Sequence, residues 1–158
     1  LDNDPVRLQR VHENLRRLGL EATTCCTDVA ELDRWWDGQA FDRVLADLPC
    51  TASGVVRRHP DIKWLRRESD IAALAARASA VLDCLWRVVR PGGKLLVATC
   101  SVFREENRSQ VDDFVGRHAD ARLAPLPGQD SLDVQLLPDE RHDGFYYALL
   151  ERVPPSPA

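Results

Sequence analysis

Two short apolar runs, Phe41 to Ala46 and Lys94 to Ala98, each end just before a cysteine, with a long helical pattern between them. Both runs have the length of a buried strand. Strand, helix and strand in that order place both runs in one α/β sheet. Asp47-Leu48-Pro49-Cys50 follows the first run, and Thr99-Cys100-Ser101 closes the second. In an open α/β sheet the residues just beyond the strand ends line the ligand crevice. Two thiols far apart in sequence are therefore predicted at one edge of one sheet. A thiolate is a strong nucleophile near neutral pH, and a second thiol beside it can move protons. Two small buried hydrophobes would occupy the same places, and placement alone leaves both readings open.

The flanking sequence continues the alternation. Asp4-Pro5 is a helix start, Leu8, Val11, Leu15 and Leu18 recur at helical spacing, and Gly19 closes the segment. Leu20 to Cys26 reads as a strand and Glu31 to Trp36 as a brief helix. Ser69 is the expected cap of a helix with Ile71, Leu74, Ala75, Ala78, Val81, Leu82, Leu85 and Val89 on one face and Cys84 in the core, and Arg90-Pro91-Gly92-Gly93 breaks it. Glu105 to Arg117 reads as another helix, with Val111, Phe114 and Val115 inward. Ala121 to Ala124, Val134 to Leu137 and Phe145 to Leu150 read as late strands. The expectation is a mostly parallel sheet with an antiparallel edge, in one partial domain over residues 1–152, with a disordered tail over 153–158.

A chain of 158 residues with 44% hydrophobic and 29% charged residues has the composition of a globular domain. No apolar run has the length of a membrane span, and Leu1-Asp2-Asn3-Asp4 lacks the basic start and apolar stretch of a signal peptide. No membrane partner and a cytoplasmic location are expected. The five cysteines are odd in number and lack Cys-x-x-Cys spacing, which argues against a disulfide framework and against a metal site. Net charge is −4, yet Arg57, Arg58, His59, Lys63, Arg66 and Arg67 crowd into one stretch around Trp64. Such a patch suits phosphates and bases, and equally suits a solvated helix flank. It lies in a long loop directly after Cys50, where long ordered loops carry function.

A nucleotide-binding α/β domain carries a glycine-rich turn after its first strand. None precedes Asp2, and Gly92-Gly93 lies between a helix and a strand, the wrong order. The expectation is a chain that begins partway through its domain.

Asp47-Leu48-Pro49-Cys50-Thr51-Ala52-Ser53-Gly54 resembles the Asp-Ala-Pro-Cys-Ser-x-x-Gly signature of RNA cytosine-5 methyltransferases. Ala98-Thr99-Cys100-Ser101, followed by Glu105-Glu106-Asn107, resembles their second cysteine motif. Gly54 to Trp64 resembles the bacterial small-subunit ribosomal RNA methyltransferase B (Sun/Fmu) type, as does Asp143-Gly144-Phe145-Tyr146-Tyr147-Ala148. The chain departs from the pattern at Leu48, where alanine is usual, and in lacking the glycine-rich loop. The resemblance implies a Rossmann-like class I domain without its first strand, and S-adenosylmethionine as methyl donor. It also implies small-subunit ribosomal RNA as partner and a monomeric intact enzyme.

By the same resemblance, Cys100 adds to carbon 6 of cytosine. Cys50 helps remove the carbon-5 proton, and Asp47 bonds the ring edge or the cofactor. Asp2 would hold the ribose hydroxyls and Asp28 would lie near the adenine, although each also reads as an ordinary turn aspartate. Arg57, Arg58, Lys63 and Phe145 are the expected RNA contacts. The missing strand would leave a gap beside the strand ending at Asp47, so the isolated chain is expected to be destabilised, rearranged or associated.

Three other readings compete. The chain alone would be a non-catalytic fragment if half the cofactor pocket is absent. A cysteine hydrolase would need His59 or His142 oriented beside Cys100. A DNA cytosine methyltransferase would carry its nucleophile at the Pro-Cys motif and lack the Thr-Cys-Ser cysteine.

Overall fold

The computed structural model describes residues 1–154, in two compact units, Leu1–Gln39 and Ala40 onward. Of the expected tail, residues 155–158 lie outside the described residues. Val153 is tied down by a hydrogen bond from its N–H to Asp120 O.

The first unit is built on helix α1, Pro5–Leu18. Asp4 caps it, its carboxylate accepting from the Val6 and Arg7 N–H groups, and Gly19 ends it in the left-handed conformation that favours glycine. The strand expected over Leu20 to Cys26 does not form a ladder. It makes one parallel bridge, Asp2 with Cys26, carried by the Asp2 N–H to Cys25 O and the Thr27 N–H to Asp2 O. A strand is defined by its neighbours' hydrogen bonds, and here a single bridge supplies them. The brief helix shrinks to a 3₁₀ turn, Leu32–Arg34.

The second unit holds the sheet. Strand β1 is Phe41–Asp47, followed by a short helix α2, Ile62–Leu65, and a long helix α3, Glu68–Val88. Helix α3 starts one residue before Ser69, because the Asp70 carboxylate reaches back to the Arg67 N–H. Strand β2 runs Val89–Thr99. Helix α3 stops just before the expected break at Arg90 to Gly93, while Val89, expected on its face, and the break itself form an irregular start to β2: Phe41 pairs with Val89, Arg43 already pairs with Lys94, and Gly92 takes φ +75°. Helix α4 is Arg108–Arg117, preceded by a 3₁₀ turn at Arg104–Glu106. Strands β3, Ala121–Ala124, β4, Asp133–Leu136, and β5, Phe145–Arg152, complete the fold.

β1 and β2 form the parallel part of the sheet, and β5 adds antiparallel to β2. β3 and β4 lie end to end along the far side of β5, both antiparallel to it. Helix α3 packs on β1 and β2 and against α4. The core between them includes Ala46, Leu82, Leu95, Val97, Phe114 and Tyr146. Trp86 anchors one end. Its ring meets Phe114 edge-on at 5.3 Å, and its Nε1 donates to Asp120, which also holds Arg152. β1 is less buried than its composition predicts, with Leu45 68% exposed. The parallel register brings Asp47 opposite Ala98, so β1 and β2 end at the same edge.

Candidate active site

That shared edge carries both thiols. Cys50 lies three residues past β1 and Cys100 one residue past β2, and their Sγ atoms are 3.5 Å apart. The Leu48 N–H donates to Ala98 O, continuing the ladder to the base of the first loop. Leu48 itself is buried in the core at 3% exposure, so its extra bulk over alanine is absorbed by packing.

Three loops meet here. Gly54 is pinned between the other two: its N–H donates to Cys100 O, and its carbonyl accepts from the Gly144 N–H, each at 2.8 Å. A Cβ on Gly54 would lie 2.2 Å from Gly144 O and 2.8 Å from Cys100 O, so only glycine permits this approach. Ser53 Oγ lies 3.1 Å from Ser101 Oγ and accepts from the Val102 N–H. Ala52, between Thr51 and Ser53, is held at φ +60°, the sole non-glycine residue with positive φ among those described.

Beneath the thiols sits Glu106, 1% exposed. Its Oε1 accepts from the Thr51 N–H, and its Oε2 accepts from both Thr51 Oγ1 and Ser101 Oγ. Thr51 follows Cys50 and Ser101 follows Cys100, so one carboxylate ties the two cysteine loops together. Asn107 continues the clamp. Its Oδ1 accepts from Thr99 Oγ1, and its Nδ2 donates to Ser101 O and Gln135 Oε1. Glu106 and Asn107 belong to the second cysteine motif, which by itself assigns them no role. Their signal was a polar pair at the start of a helix whose next inward residue is Val111. No buried side-chain nitrogen or oxygen lacks a partner among the described residues.

The thiols are chemically unequal. The hydrogen bond from Cys100 lowers the Cys50 thiol to about 7, opposed by burial and helped by backbone N–H groups of Ala52 and Cys100. Cys100 is pushed upward by the proton it shares with Cys50, by burial, and by the negative charges of Cys50 and Asp47. The pair therefore holds one proton between two sulfurs near neutral pH, with Asp47 near enough for its charge to be felt.

The basic stretch divides. Arg58 Nε pairs with Asp143 at 2.6 Å. Arg57 reaches the same carboxylate at 3.5 Å and the carbonyls of Asp139 and Glu140. Both arginines thus tie the loop after Cys50 to the segment before β5. Lys63 is exposed on α2. Phe145 follows Gly144, which the Gly54 contact holds at the site, and its ring stacks near Tyr147 at 6.2 Å. Neither His59 nor His142 hydrogen-bonds either thiol. His142 is held by Asp143 O and Asp139, so the hydrolase constellation is not formed. In the first unit, the Asp2 carboxylate accepts from the Asp4 N–H and pairs with Arg7, while the Asp28 carboxylate accepts from the Ala30 N–H. Both are turn-forming arrangements, and each carboxylate keeps further acceptor capacity for a hydroxyl or an amine. The described residues contain no group of three His, Cys, Asp or Glu placed to hold a metal, and no helix long and apolar enough to cross a membrane.

Comparison with known proteins agrees with this geometry. A family described as 16S rRNA methyltransferase RsmB/F matches residues 1–151. The chain is 52% identical over 154 residues to a ribosomal RNA small subunit methyltransferase B of Vibrio cholerae, covering 96% of this chain and 35% of that protein. It is 50% identical to the protein of the same description from Shewanella oneidensis, covering 36% of it. The chain thus spans about a third of the length of these relatives. Among solved structures, PH0851 superposes with a TM-score of 0.86 at 33% identity, over 96% of this chain and 36% of that one. NSun6 from Pyrococcus horikoshii, solved with SFG, the S-adenosylmethionine analogue sinefungin, superposes with a TM-score of 0.81 at 27% identity, over 97% and 40%. The fold, the two thiol loops and these likenesses agree: the chain belongs to the RsmB/F family of 16S rRNA methyltransferases.

Proposed function

We propose that the intact enzyme methylates carbon 5 of a cytosine in small-subunit ribosomal RNA, with this chain as part of its catalytic domain, over residues 1–152. The observation that carries the reading is the 3.5 Å approach of Cys50 and Cys100 at one sheet edge. Carbon 5 of cytosine is a weak nucleophile, and thiolate addition at carbon 6 makes the ring enamine-like, splitting one hard step into easier ones. Cys100 Sγ forms the bond to carbon 6 as its proton passes to Cys50, which returns it to solvent. S-adenosylmethionine supplies the methyl group when bound. Cys50 then takes the carbon-5 proton, the carbon 6–sulfur bond breaks, and its electron pair returns to Cys100. Asp47 holds the ring edge or the cofactor as charge develops.

The carboxylates of Asp2, Asp28 and Asp47 fit the cofactor chemically, because a ribose diol and an adenine amine both donate hydrogen bonds that a carboxylate accepts. Arg57 and Arg58 orient the loop through Asp143 and offer their remaining N–H groups to phosphate, with Lys63 and Phe145 beside the RNA path. The enzyme acts as a cytoplasmic monomer, with no metal and no membrane partner in the reaction.

Covalent trapping tests the chemistry. The Cys50→Ala form of the intact enzyme, incubated with ribosomal RNA and S-adenosylmethionine, is expected to give an RNA adduct on a denaturing gel. Cys50→Ala/Cys100→Ala gives none. An adduct that survives loss of Cys100 but not of Cys50 would transfer the nucleophile to the Pro-Cys loop, the DNA-enzyme arrangement. The same assay on this chain alone distinguishes a sufficient catalytic portion from a non-catalytic one.

A further inference from the structure

A cleft of about 490 Å³ opens beside the thiol pair without containing either sulfur. Thr51 and Ser53 of the first cysteine loop and Val102 and Phe103 of the second form one wall. Ile62 and Lys63 of α2, Arg66, Arg67 and Ile71 form the other. Its interior is apolar, and its rim carries three cations against one carboxylate, Glu68. The cations differ from their neighbours Arg57 and Arg58, which are engaged by Asp143. Lys63, Arg66 and Arg67 form no ion pair among the described residues. Arg66 is held by its Nε bond to Thr51 O, which fixes the guanidinium at the mouth. Phe103 leaves 38% of its surface exposed, three residues past Cys100.

We propose that this cleft seats a nucleotide flanking the target cytosine, its base against Phe103 and the isoleucines and its phosphate at Lys63, Arg66 and Arg67. The assignment rests on the RNA substrate proposed above. An apolar slot faces a base because every base has a stacking face, and the unpaired cations answer the backbone charge. A slot next to the reactive pair also serves the chemistry. A target base must leave its stack to reach a thiol, and a neighbour held aside keeps the strand splayed.

A binding measurement on the intact enzyme tests this, with a short oligouridine carrying one central cytosine as probe. An abasic residue is moved through the positions on either side of the cytosine, and affinity is read by fluorescence anisotropy. At one flanking position the missing base is expected to weaken wild-type binding about tenfold. At that position it should cost Phe103→Ala nothing further. Lys63→Gln and Arg67→Gln should each reduce the slope of log affinity against log salt by about one. Equal abasic losses in wild type and Phe103→Ala at every position would overturn the assignment. So would a Phe103→Ala enzyme that is less heat-stable yet binds RNA normally, since another segment of the enzyme would then fill the cleft. The readout is binding, so an enzyme that binds as expected but forms no cysteine adduct would refute the proposed chemistry and leave the cleft standing. A wild type that does not bind the probe would overturn the cleft assignment.

Discussion

The two units hold themselves together over different distances along the chain. In Leu1–Gln39 nearly every side-chain bond is local: Asp2 to Asp4, Asp4 to Val6, Thr27 to Glu31, Asp28 to Ala30. Leu8, Thr27 and Leu32 are its buried residues. From Ala40 onward the defining bonds join residues far apart in the chain: Ser53 to Ser101 across 48 positions, Thr51 to Glu106 across 55 and Arg57 to Asp143 across 86. The first unit presents its candidate cofactor carboxylates, Asp2 and Asp28, from turns. The second holds its thiols in a buried polar network with every group paired. Local bonds form and break segment by segment, whereas a closed network forms and breaks as one. Taken unit by unit, the network of the second is therefore expected to open as a whole, and the turns of the first one at a time.

Glu106→Ala should break this comparison most severely. It leaves the Thr51 N–H and the Thr51 hydroxyl without an acceptor and the Ser101 hydroxyl with only Ser53 Oγ in reach, at a cost of about 3 kcal/mol, read as a lower denaturant midpoint for the second unit. A change below about 1 kcal/mol would mean that water replaces the carboxylate and that the network is not closed. Gly54→Ala is next. Its Cβ would overlap Gly144 O, so two backbone bonds must yield, with a loss of about 1–3 kcal/mol and of the RNA adduct. An adduct formed at the wild-type rate would show that the three-loop junction is dispensable.

The thiol pair gives a smaller effect with a sharp sign. Cys50 titrates at about 7, so its alkylation by iodoacetamide should rise through neutral pH and fall away in acid. The main cause of the lowering is the bond from Cys100. In Cys100→Ala the midpoint should therefore move up toward about 8.5, the ordinary cysteine value, and an unmoved midpoint would remove the shared proton. Least of all, Asp4→Ala deletes the α1 cap at about 1 kcal/mol. Hydrogen exchange should speed up across Pro5–Leu18 and leave β2 and β5 unchanged. A global effect would erase the distinction between the units.

The same difference in range decides what was legible. α1 was read to the residue, because Asp4, Pro5 and Gly19 act on their immediate neighbours. The ends of β1 and β2 and the juxtaposition of Cys50 and Cys100 followed from two apolar runs and the geometry of a parallel pair. The Leu20 to Cys26 strand was over-read, because strand composition says nothing about a partner. The helix ends before Arg90 to Gly93 as its composition implies, but the earlier start of β2 at Val89 is not visible locally, because the ladder absorbs the glycines as an irregularity. Arg57 and Arg58 are expected among the RNA contacts, and their pairing with Asp143, far along the chain, is not visible in the sequence.

Taken by itself, the sequence determined the α/β alternation, the helix caps and the two cysteine loops. Each of these rests on residues within a few positions of one another, and the motif spacing points to a family of one chemistry. Only the tertiary structure decided that Glu106 joins the two loops, that Gly54 must be bare for three backbones to meet, and that the unspent cations are those around the cleft. Those facts depend on which distant groups share a buried volume with little water. There a carboxylate, a hydroxyl and an N–H must find each other or remain unsatisfied. No local rule of the chain encodes that choice of partner.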